Sequence, residues 1–456
     1  MEIPKEFLDR MHAMLQEEGE WQSFLRSFSE MPKRGIRVNR KKVEEAEKEG
    51  FSFQEWKEKW HLEPVFSEKR EEEQREFYVE EEELRENGIS IGKDPYHEGG
   101  LYYIQDPSAM AVVPRMEIRP FDRCLDLCAS PGGKSLQIAD LLSEEEGGIL
   151  LSNEYVGERA RILSQNAERM GYCNLAVVNE TSASLAENFP SYFSRILVDA
   201  PCSGEGMFRK SEEAVKEWSP LLVEKCAERQ RDILESAFQM LREGGELCYS
   251  TCTFAPLEDE EMRDWILREN PDYSLKEEKK LLFHNSRGEG QYYAIFKKAG
   301  KDLERTTKKE AYSILRKNKS IFIYSSGLEP FSRLKLFRLG VRAFEEGKTG
   351  WEYSHGLSHA LHLKRLYPVL SACKPETKYN LRYCIYLKRG EKRVDAYLSG
   401  QEIHVEREEC SFFIPPQKEE STGLGIVYCD GIPLGFGYYR NEKLRNLYPK
   451  GLRYRS

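Results

Sequence analysis

The sequence has no apolar run approaching the ~20 residues that a membrane span requires. Its opening, MEIPKEFLDRMHAM, lacks the basic-then-apolar layout of a secretory signal. Both absences point to a cytoplasmic chain. Its 11 cysteines are an odd number, scattered, with no Cys-x-x-Cys pair, so neither a disulfide framework nor a zinc site is indicated. Reduced thiols, a few of them available for catalysis, are the expectation. Positive charge is also in deficit: 69 Lys and Arg stand against 78 Asp and Glu, a net charge of -9, which argues weakly against a nucleic-acid ligand. The distribution softens that argument. Acid collects at 71–73 and 80–83, whereas the C-terminal stretch carries Arg440, Lys443, Arg445, Lys450, Arg453 and Arg455 against Glu442 alone, a local basic patch beside a solvated acidic face. No internal repeat is present.

At 456 residues the chain exceeds the ~250–300 residues at which single cores stop growing, so several domains are expected: an N-terminal α+β extension over 1–98, an α/β unit over 99–300, and a linker plus small β-rich domain over 301–456. Apolar spacing predicts two short helices in PKEFLDRMHAMLQEEGEWQSFLRSF. GIRVNRKKV reads as a strand with an exposed basic side, and charged linker-like sequence runs on to about Glu86. From Gly99, apolar strands alternate with amphipathic helices, the signature of a parallel sheet. The strands are CLDLC (124–128), ILLSNE (149–154), LAVVN (175–179), RILVDA (195–200) and ELCYSTC (246–252). LLFHNSRGEGQYYAIFKK is expected to close the sheet as a hairpin, with a linker in KAGKDLERTTKKE. Beyond Ala311 the segments LRYCIYLKRG, RVDAYLSG and GIVYCDGIPLGFGYY, with Gly, Asp and Pro turns, suggest a small barrel.

The most informative loop is DLCASPGGKS (126–135), set between a strand and a helix. Gly132 and Gly133 remove side chains where backbone must approach a ligand, and the following helix offers free N–H groups at the carboxyl edge of the sheet. This is not the G-x-G-x-x-G phosphate fingerprint, and S-adenosylmethionine has no phosphate to cradle. Glu154 ends the next strand, where an acidic side chain can take two ribose hydroxyls.

RILVDAPCSGEGMFRK sets Asp199, Pro201 and Cys202 at the end of an apolar strand, and YSTCTF sets Cys252 at the end of the strand expected beside it. Both thiols then open onto the crevice of the cofactor loop. Two thiols there suit a methyl acceptor that is not itself nucleophilic: carbon 5 of cytosine becomes carbanion-like only after a thiolate adds to carbon 6. Asp199 is placed to hold the amidine edge of the base. Methylation of an exocyclic nitrogen needs no thiol and usually offers Asn/Asp-Pro-Pro-aromatic, where this chain reads Asp199-Ala200-Pro201-Cys202. Residue chemistry leaves the roles of the two thiols interchangeable.

DLCASPGGKS, SNEYVGERA, LVDAPCSGEGMFRK and YSTCTF, with RGIRVN and GKDPYHEGGLYYIQDPSAM upstream and DGIPLGFGYYRNEKLRNLYPKGLR downstream, resemble the Nol/Nop/Sun RNA cytosine-C5 methyltransferases. The likeness is strongest to the bacterial branch acting on small-subunit (16S) ribosomal RNA. The resemblance implies a Rossmann-like, S-adenosylmethionine-dependent catalytic domain, an N-terminal RNA-binding extension and a C-terminal PUA-like domain. Within it, Cys128, Ala129, Ser130, Pro131, Gly132, Gly133 and Lys134 contact the cofactor, Glu154 binds its ribose, and Asp199 lies between cofactor and base. Glu180, where the family commonly has Asp, is nominated near the adenine, and Arg159 as a further lining residue. Cys252 is the nucleophile in this reading and Cys202 assists release of the product.

Gln291 stands where the family often has His, a departure expected to alter substrate contacts. The acidic stretch 68–86 is expected to face away from the RNA. Arg445, Tyr448, Lys450 and Arg453 are candidate RNA contacts, the tyrosine by stacking. Arg209 and Lys210, beside Phe208, either hold a flipped nucleotide or only start a helix. His355, His359 and His362 lie at helical spacing without a carboxylate or thiol, so a satisfied helix face is expected and no metal. The expected partner is RNA, as small-subunit rRNA or the 30S subunit, met by a monomer. The competing readings are a tRNA substrate and a cofactor-binding assembly factor.

Overall fold

The computed structural model describes residues 3–304, 311–414 and 422–454. Helices Lys5–Met14 and Glu18–Ser27 bury Phe7, Met11, Leu15 and Phe24 against Phe208, Trp218, Phe254 and Phe283 of the catalytic unit, so the N-terminus is packed directly onto the loops that carry the site. Next comes a four-stranded sheet of β1 (Arg34–Val38), β2 (Glu63–Pro64), β3 (Glu76–Val79) and β4 (Tyr102–Gln105), in the order β2-β3-β1-β4.

Three expectations are corrected here. The strand in GIRVNRKKV stops at Val38, because the Asn39 side chain accepts the Lys42 N–H and starts helix Arg40–Glu47. Its basic side is not exposed either, since Arg37 is fully buried with its Nε 3.3 Å from Gln105 Oε1. The linker-like stretch is folded: helix Phe53–Lys59 and β3 bury Trp56, Trp60 and Phe77, apolar positions dispersed among charges. Finally, β4 pairs with β1, so the start of the catalytic unit expected at Gly99 falls inside the N-terminal sheet.

The sheet that follows has eight strands. β5 (Arg123–Asp126), β6 (Ile149–Asn153), β7 (Leu175–Val178), β8 (Phe193–Asp199) and β9 (Leu241–Thr251) are joined by β10 (Tyr273–Leu281), β11 (Gln291–Lys298) and β14 (Leu336–Leu339), in the order β10-β11-β9-β8-β5-β6-β7-β14. β5 pairs in parallel with both β6 and β8, so the strand order reverses there and a crevice opens at the carboxyl ends of these strands. β6 and β7 are buried along their whole length, as parallel strands covered on both faces must be. Helix Pro220–Met240, with Pro at its start and a Ser219 cap, covers part of one face.

The hairpin differs from expectation: its first arm is Tyr273–Leu281, upstream of most of LLFHNS. The edge strand β14 comes from beyond residue 300 and runs antiparallel to β7, outside the span assigned to this sheet. Of the linker in KAGKDLERTTKKE, residues 305–310 lie outside the described residues.

The C-terminal part holds two sheets. β12 (Tyr312–Lys317), β13 (Ser320–Ser325), β15 (Val341–Gly347) and β16 (Gly350–Tyr353) form an antiparallel set. A six-stranded sheet follows, built from β17 (Leu381–Leu387), β18 (Ile403–His404), β19 (Cys410–Phe412), β20 (Thr422–Cys429), β21 (Ile432–Arg440) and β22 (Lys443–Asn446). RVDAYLSG is not a strand but helix Lys392–Leu398, burying Val394, Tyr397 and Leu398 at helical spacing. This sheet shares one core with the N-terminal sheet: Tyr383, Ile385, Tyr397 and Ile432 pack with Trp60, Phe77 and Tyr102.

Candidate active site

The loop after β5 is held from both sides. Leu127 N–H donates to Leu197 O at 3.0 Å and Ala129 N–H to Asn153 O at 2.8 Å, tying it to β8 and β6. Ser130 Oγ donates to Arg159 O at 3.0 Å, while Arg159 and Asn166 donate to Ser130 O and Pro131 O at 3.1 and 2.9 Å. Gly132 has φ 117°, a conformation that disfavours any side chain, and Gly133 starts the helix Gly133–Leu141. Beneath the loop, Asp126 is fully buried; it accepts from Ser135 Oγ at 2.6 Å, its other oxygen is unpaired, and burial pushes its carboxyl up to about 7. Cys128 is likewise raised by burial, an inert thiol.

Glu154 directly follows β6, with one oxygen accepting from Val156 N–H at 2.8 Å, while the other has Arg159 at 3.6 Å, beyond hydrogen-bond reach. A carboxylate with a spare acceptor beside a side-chain-free turn fits a ligand carrying hydroxyls. Glu180 is also at this edge: its backbone exchanges hydrogen bonds with the Asn153 side chain at 3.0 and 3.1 Å. Its carboxylate, however, accepts from Lys335 N–H at 2.8 Å, a partner 155 positions away that the local sequence did not signal.

The two thiols meet. Asp199 and Ser250 are register partners on β8 and β9, so the loops that follow emerge side by side. Cys202 Sγ lies 3.2 Å from Cys252 Sγ, and Cys252 N–H donates to Cys202 Sγ at 3.3 Å. The hydrogen bond to Cys252, together with burial, holds the Cys202 thiol well above its ordinary range, so it keeps its proton.

Asp199 accepts from Lys134 Nζ at 2.9 Å and from Ser250 Oγ at 2.7 Å. Burial would discharge Lys134, yet Asp199, with help from Cys252 and Asp126, raises it above its ordinary value; the ammonium stays charged. Lys134 therefore reaches from the loop after β5 to the Asp199 carboxylate at the end of β8, a placement that its motif assignment missed. Also missed were Ser203, Gln230, Glu258 and Asp259, which bond around the residues beside the two thiols. The last two sit in an acidic run that looks like a solvated helix start.

Several expected RNA contacts turn inward. Arg209 is buried over the Phe283 ring, 4.5 Å from its centroid, with Glu289 at 3.1 Å and Ser27 O at 3.2 Å; it clamps the N-terminal helices to the catalytic loop. Phe208 is fully buried. Tyr448 is 2% exposed and donates its O–H to Glu98 at 3.0 Å, which excludes base stacking. Arg453 donates to Tyr448 O at 3.2 Å.

Lys210, Arg445 and Lys450 are exposed. Arg445 lies over the rings of Tyr379 and Tyr438, and Lys210 lines a cavity of about 260 Å³ with Lys33, Arg34, Gln105 and Asp106. Arg455 lies outside the described residues. Gln291 is buried, and its amide donates to Thr251 O at 2.8 Å, next to Cys252. His355 and His359 pair at 3.1 Å and His362 pairs with Glu45 at 3.0 Å. Among the described residues no three His, Cys, Asp or Glu side chains are grouped to hold a metal ion, and no helix is long and apolar enough to cross a membrane.

Residues 114–300 match the family described as 16S rRNA methyltransferase RsmB/F. Residues 3–107 match the N-terminal domain of 16S rRNA methyltransferase RsmF, and residues 386–454 match the methyltransferase RsmF PUA domain. Residues 114–300 are identified as an RsmB/F methyltransferase domain, flanked by segments similar to the RsmF N-terminal and PUA domains. A relative named ribosomal RNA small subunit methyltransferase F, from Vibrio campbellii, is 29% identical over 99% of this chain and 97% of its own. One of the same name from Pectobacterium carotovorum is 34% identical over 62% of this chain and 56% of its own. Among solved structures, NSun6 from Pyrococcus horikoshii with SFG shares the fold at a TM-score of 0.53, with 20% identity over 65% of this chain and 99% of that one. A methyltransferase homolog protein from the same organism gives 0.51, 24%, 65% and 95%. The RsmB/F match covers the parallel sheet, the cofactor loop and both thiols, and the two terminal matches take in the first sheet and most of the last.

Proposed function

We propose that this chain methylates carbon 5 of a cytosine in small-subunit ribosomal RNA, in the cytoplasm, through a covalent cysteine–cytosine intermediate. One observation carries the reading: two thiols 3.2 Å apart, at the ends of neighbouring strands, beside an Asp199–Lys134 pair that extends from the cofactor loop. The relatives named ribosomal RNA small subunit methyltransferase F supply the substrate class. S-adenosylmethionine, held by 128–134 with Glu154 at its ribose, supplies an electrophilic methyl group.

Cys252 as thiolate adds to carbon 6 of the ring, and the pair displaced from the C5–C6 double bond makes carbon 5 nucleophilic. Asp199 holds the amidine edge, and the Lys134 charge keeps that carboxylate oriented and offsets negative charge growing on the base. After methyl transfer, a water molecule acting as base takes the proton from carbon 5, the freed C–H pair re-forms the C5–C6 double bond, and the sulfur–carbon bond breaks with its pair returning to Cys252 as thiolate. Cys202, protonated and in contact with the Cys252 sulfur, assists that elimination. The N-terminal sheet with its helices and the two C-terminal sheets hold the RNA while the eight-stranded sheet carries the chemistry, with Lys210, Arg445 and Lys450 as the exposed cations that meet phosphate.

Bisulfite sequencing of total RNA from cells with and without the gene tests the reading. One cytosine of small-subunit rRNA is expected to change from protected to converted. A protected site lost from tRNA instead, or no lost site in any RNA, overturns the substrate or the chemistry respectively.

A further inference from the structure

The residues beside the two thiols are held by two different carboxylates that are neighbours in sequence. Glu258 is fully buried. Its Oε1 accepts from Ser203 Oγ at 2.5 Å; its Oε2 accepts from Ser203 N–H at 3.1 Å and from Gln230 Nε2 at 2.8 Å. The same Gln230 amide donates to Pro201 O at 3.0 Å, so the residues on both sides of Cys202 hang on one carboxylate–amide pair. Tyr249 completes the set, its hydroxyl within 2.9 Å of Gln230 Oε1 and 2.6 Å of Glu258 O. Nothing in this set bonds to the residues flanking Cys252 except Ser203 Oγ to Thr253 Oγ1, at 2.8 Å.

Asp259 serves the other loop. Its Oδ1 accepts from Thr251 Oγ1 at 2.7 Å, immediately before Cys252, and Lys280 Nζ lies 2.9 Å from its other oxygen. Gln291 donates to Thr251 O, and Gly206 N–H donates to Cys252 O at 2.9 Å, so the Cys252 turn keeps supports of its own. The geometry points to Glu258 and Asp259 as separate positioning residues, Glu258 setting Cys202 for product release and Asp259 setting Cys252 for attack. This rests on the proposed covalent chemistry.

Glutamine at 258 preserves volume but turns an N–H₂ group toward donors on Ser203 and Gln230, leaving buried donors unmatched. Burial holds the Glu258 carboxyl at about 7, so its grip on two N–H donors strengthens as it ionises.

The test uses the full chain with a small-subunit rRNA transcript and S-adenosylmethionine. Trapped adduct is read on denaturing gels, and methyl transfer is followed in single-turnover and steady-state modes, for wild type, Cys202→Ala, Glu258→Gln, Ser203→Ala and Asp259→Asn. Glu258→Gln is expected to behave as a partial Cys202→Ala: adduct accumulates and steady-state turnover falls about tenfold, while single-turnover transfer falls about threefold or less. Ser203→Ala, the milder variant, is expected to shift in the same direction. Asp259→Asn is expected to slow single-turnover transfer about tenfold or more with no accumulated adduct. If Cys202→Ala accumulates adduct and Glu258→Gln and Ser203→Ala do not, the division of roles is overturned while the covalent reading stands. If Glu258→Gln and Asp259→Asn lose both modes in the same proportion, it is overturned as well. If Cys202→Ala itself gives no adduct, the covalent reading falls and this inference with it.

Discussion

The crevice and the C-terminal part both carry candidate residues, yet the structure treats them differently. In the crevice, Cys202, Cys252, Asp199, Lys134 and Glu154 all sit at strand ends or on the turn between them. In the C-terminal part, Tyr448 and Arg453 fold back on the protein and, of the candidates there, Arg445 and Lys450 remain available. The difference teaches which residues a sequence can place. A residue at the carboxyl end of a parallel strand is positioned by backbone topology. A tyrosine or arginine on a small β domain goes wherever its neighbours leave room, and Tyr448 finds Glu98, 350 positions away.

The largest expected effect is in the crevice. Cys252→Ala is predicted to reduce single-turnover methyl transfer by about 10⁴-fold or more, measured with radiolabelled methyl donor and an rRNA transcript. Residual transfer within tenfold of wild type breaks the assignment. Lys134→Ala comes next, at about 10²–10³-fold in kcat. Because Lys134 touches Asp199 rather than only lining the loop, Lys134→Ala is also expected to lower kcat more than it weakens cofactor binding by calorimetry. A loss confined to cofactor affinity returns Lys134 to a purely binding role.

The C-terminal part sharpens the contrast from the other side. Arg445→Ala and Lys450→Ala together are predicted to weaken RNA binding severalfold and to reduce the salt dependence, the slope of log Kd against log salt, by about one for each phosphate no longer neutralised. Tyr448→Phe is predicted to leave RNA affinity unchanged. Removing its hydrogen bond to Glu98 is expected to cost stability by about 1 kcal/mol in a urea titration. Weaker RNA affinity for Tyr448→Phe with unchanged stability contradicts its inward placement.

The smallest effect concerns pH. Burial pushes Asp126 and Glu258 up to about 7, whereas the unfolded chain titrates them near their ordinary values. Between these limits the native state holds more protons, so stability is fullest at low pH in this window and is lost as pH rises through about 7. The urea midpoint is expected to fall between about pH 5 and 8, less steeply in Glu258→Gln, with a slope unchanged by that variant as the contrary outcome.

Much of the fold was legible because its signals are local and periodic. The five parallel strands, the second arm of the hairpin and the first two helices follow from apolar runs and spacing, and the glycines of 132–133 marked the turn between β5 and the helix after it. What escaped has specific causes. The folded stretch 53–86 was masked by its charge, since Trp56, Trp60 and Phe77 are few among acids. β14 joined a sheet from beyond residue 300, a long-range pairing with no local signature. Glu258 and Asp259 carry no local signal, since neighbouring carboxylates are usually solvated; their partners, Ser203, Gln230, Thr251 and Lys280, come from four other segments. Gln291 and Arg209 were read from motif position, while their burial was decided by packing.

The central claim is that Cys252, and not Cys202, bonds to the base. Mass spectrometry of protease-digested adduct, trapped on Cys202→Ala and separately on wild type stalled with a 5-fluorocytosine-containing transcript, tests it most directly. The account predicts the nucleotide on the peptide containing Cys252 in both samples. A nucleotide on the Cys202 peptide of the wild-type sample contradicts it.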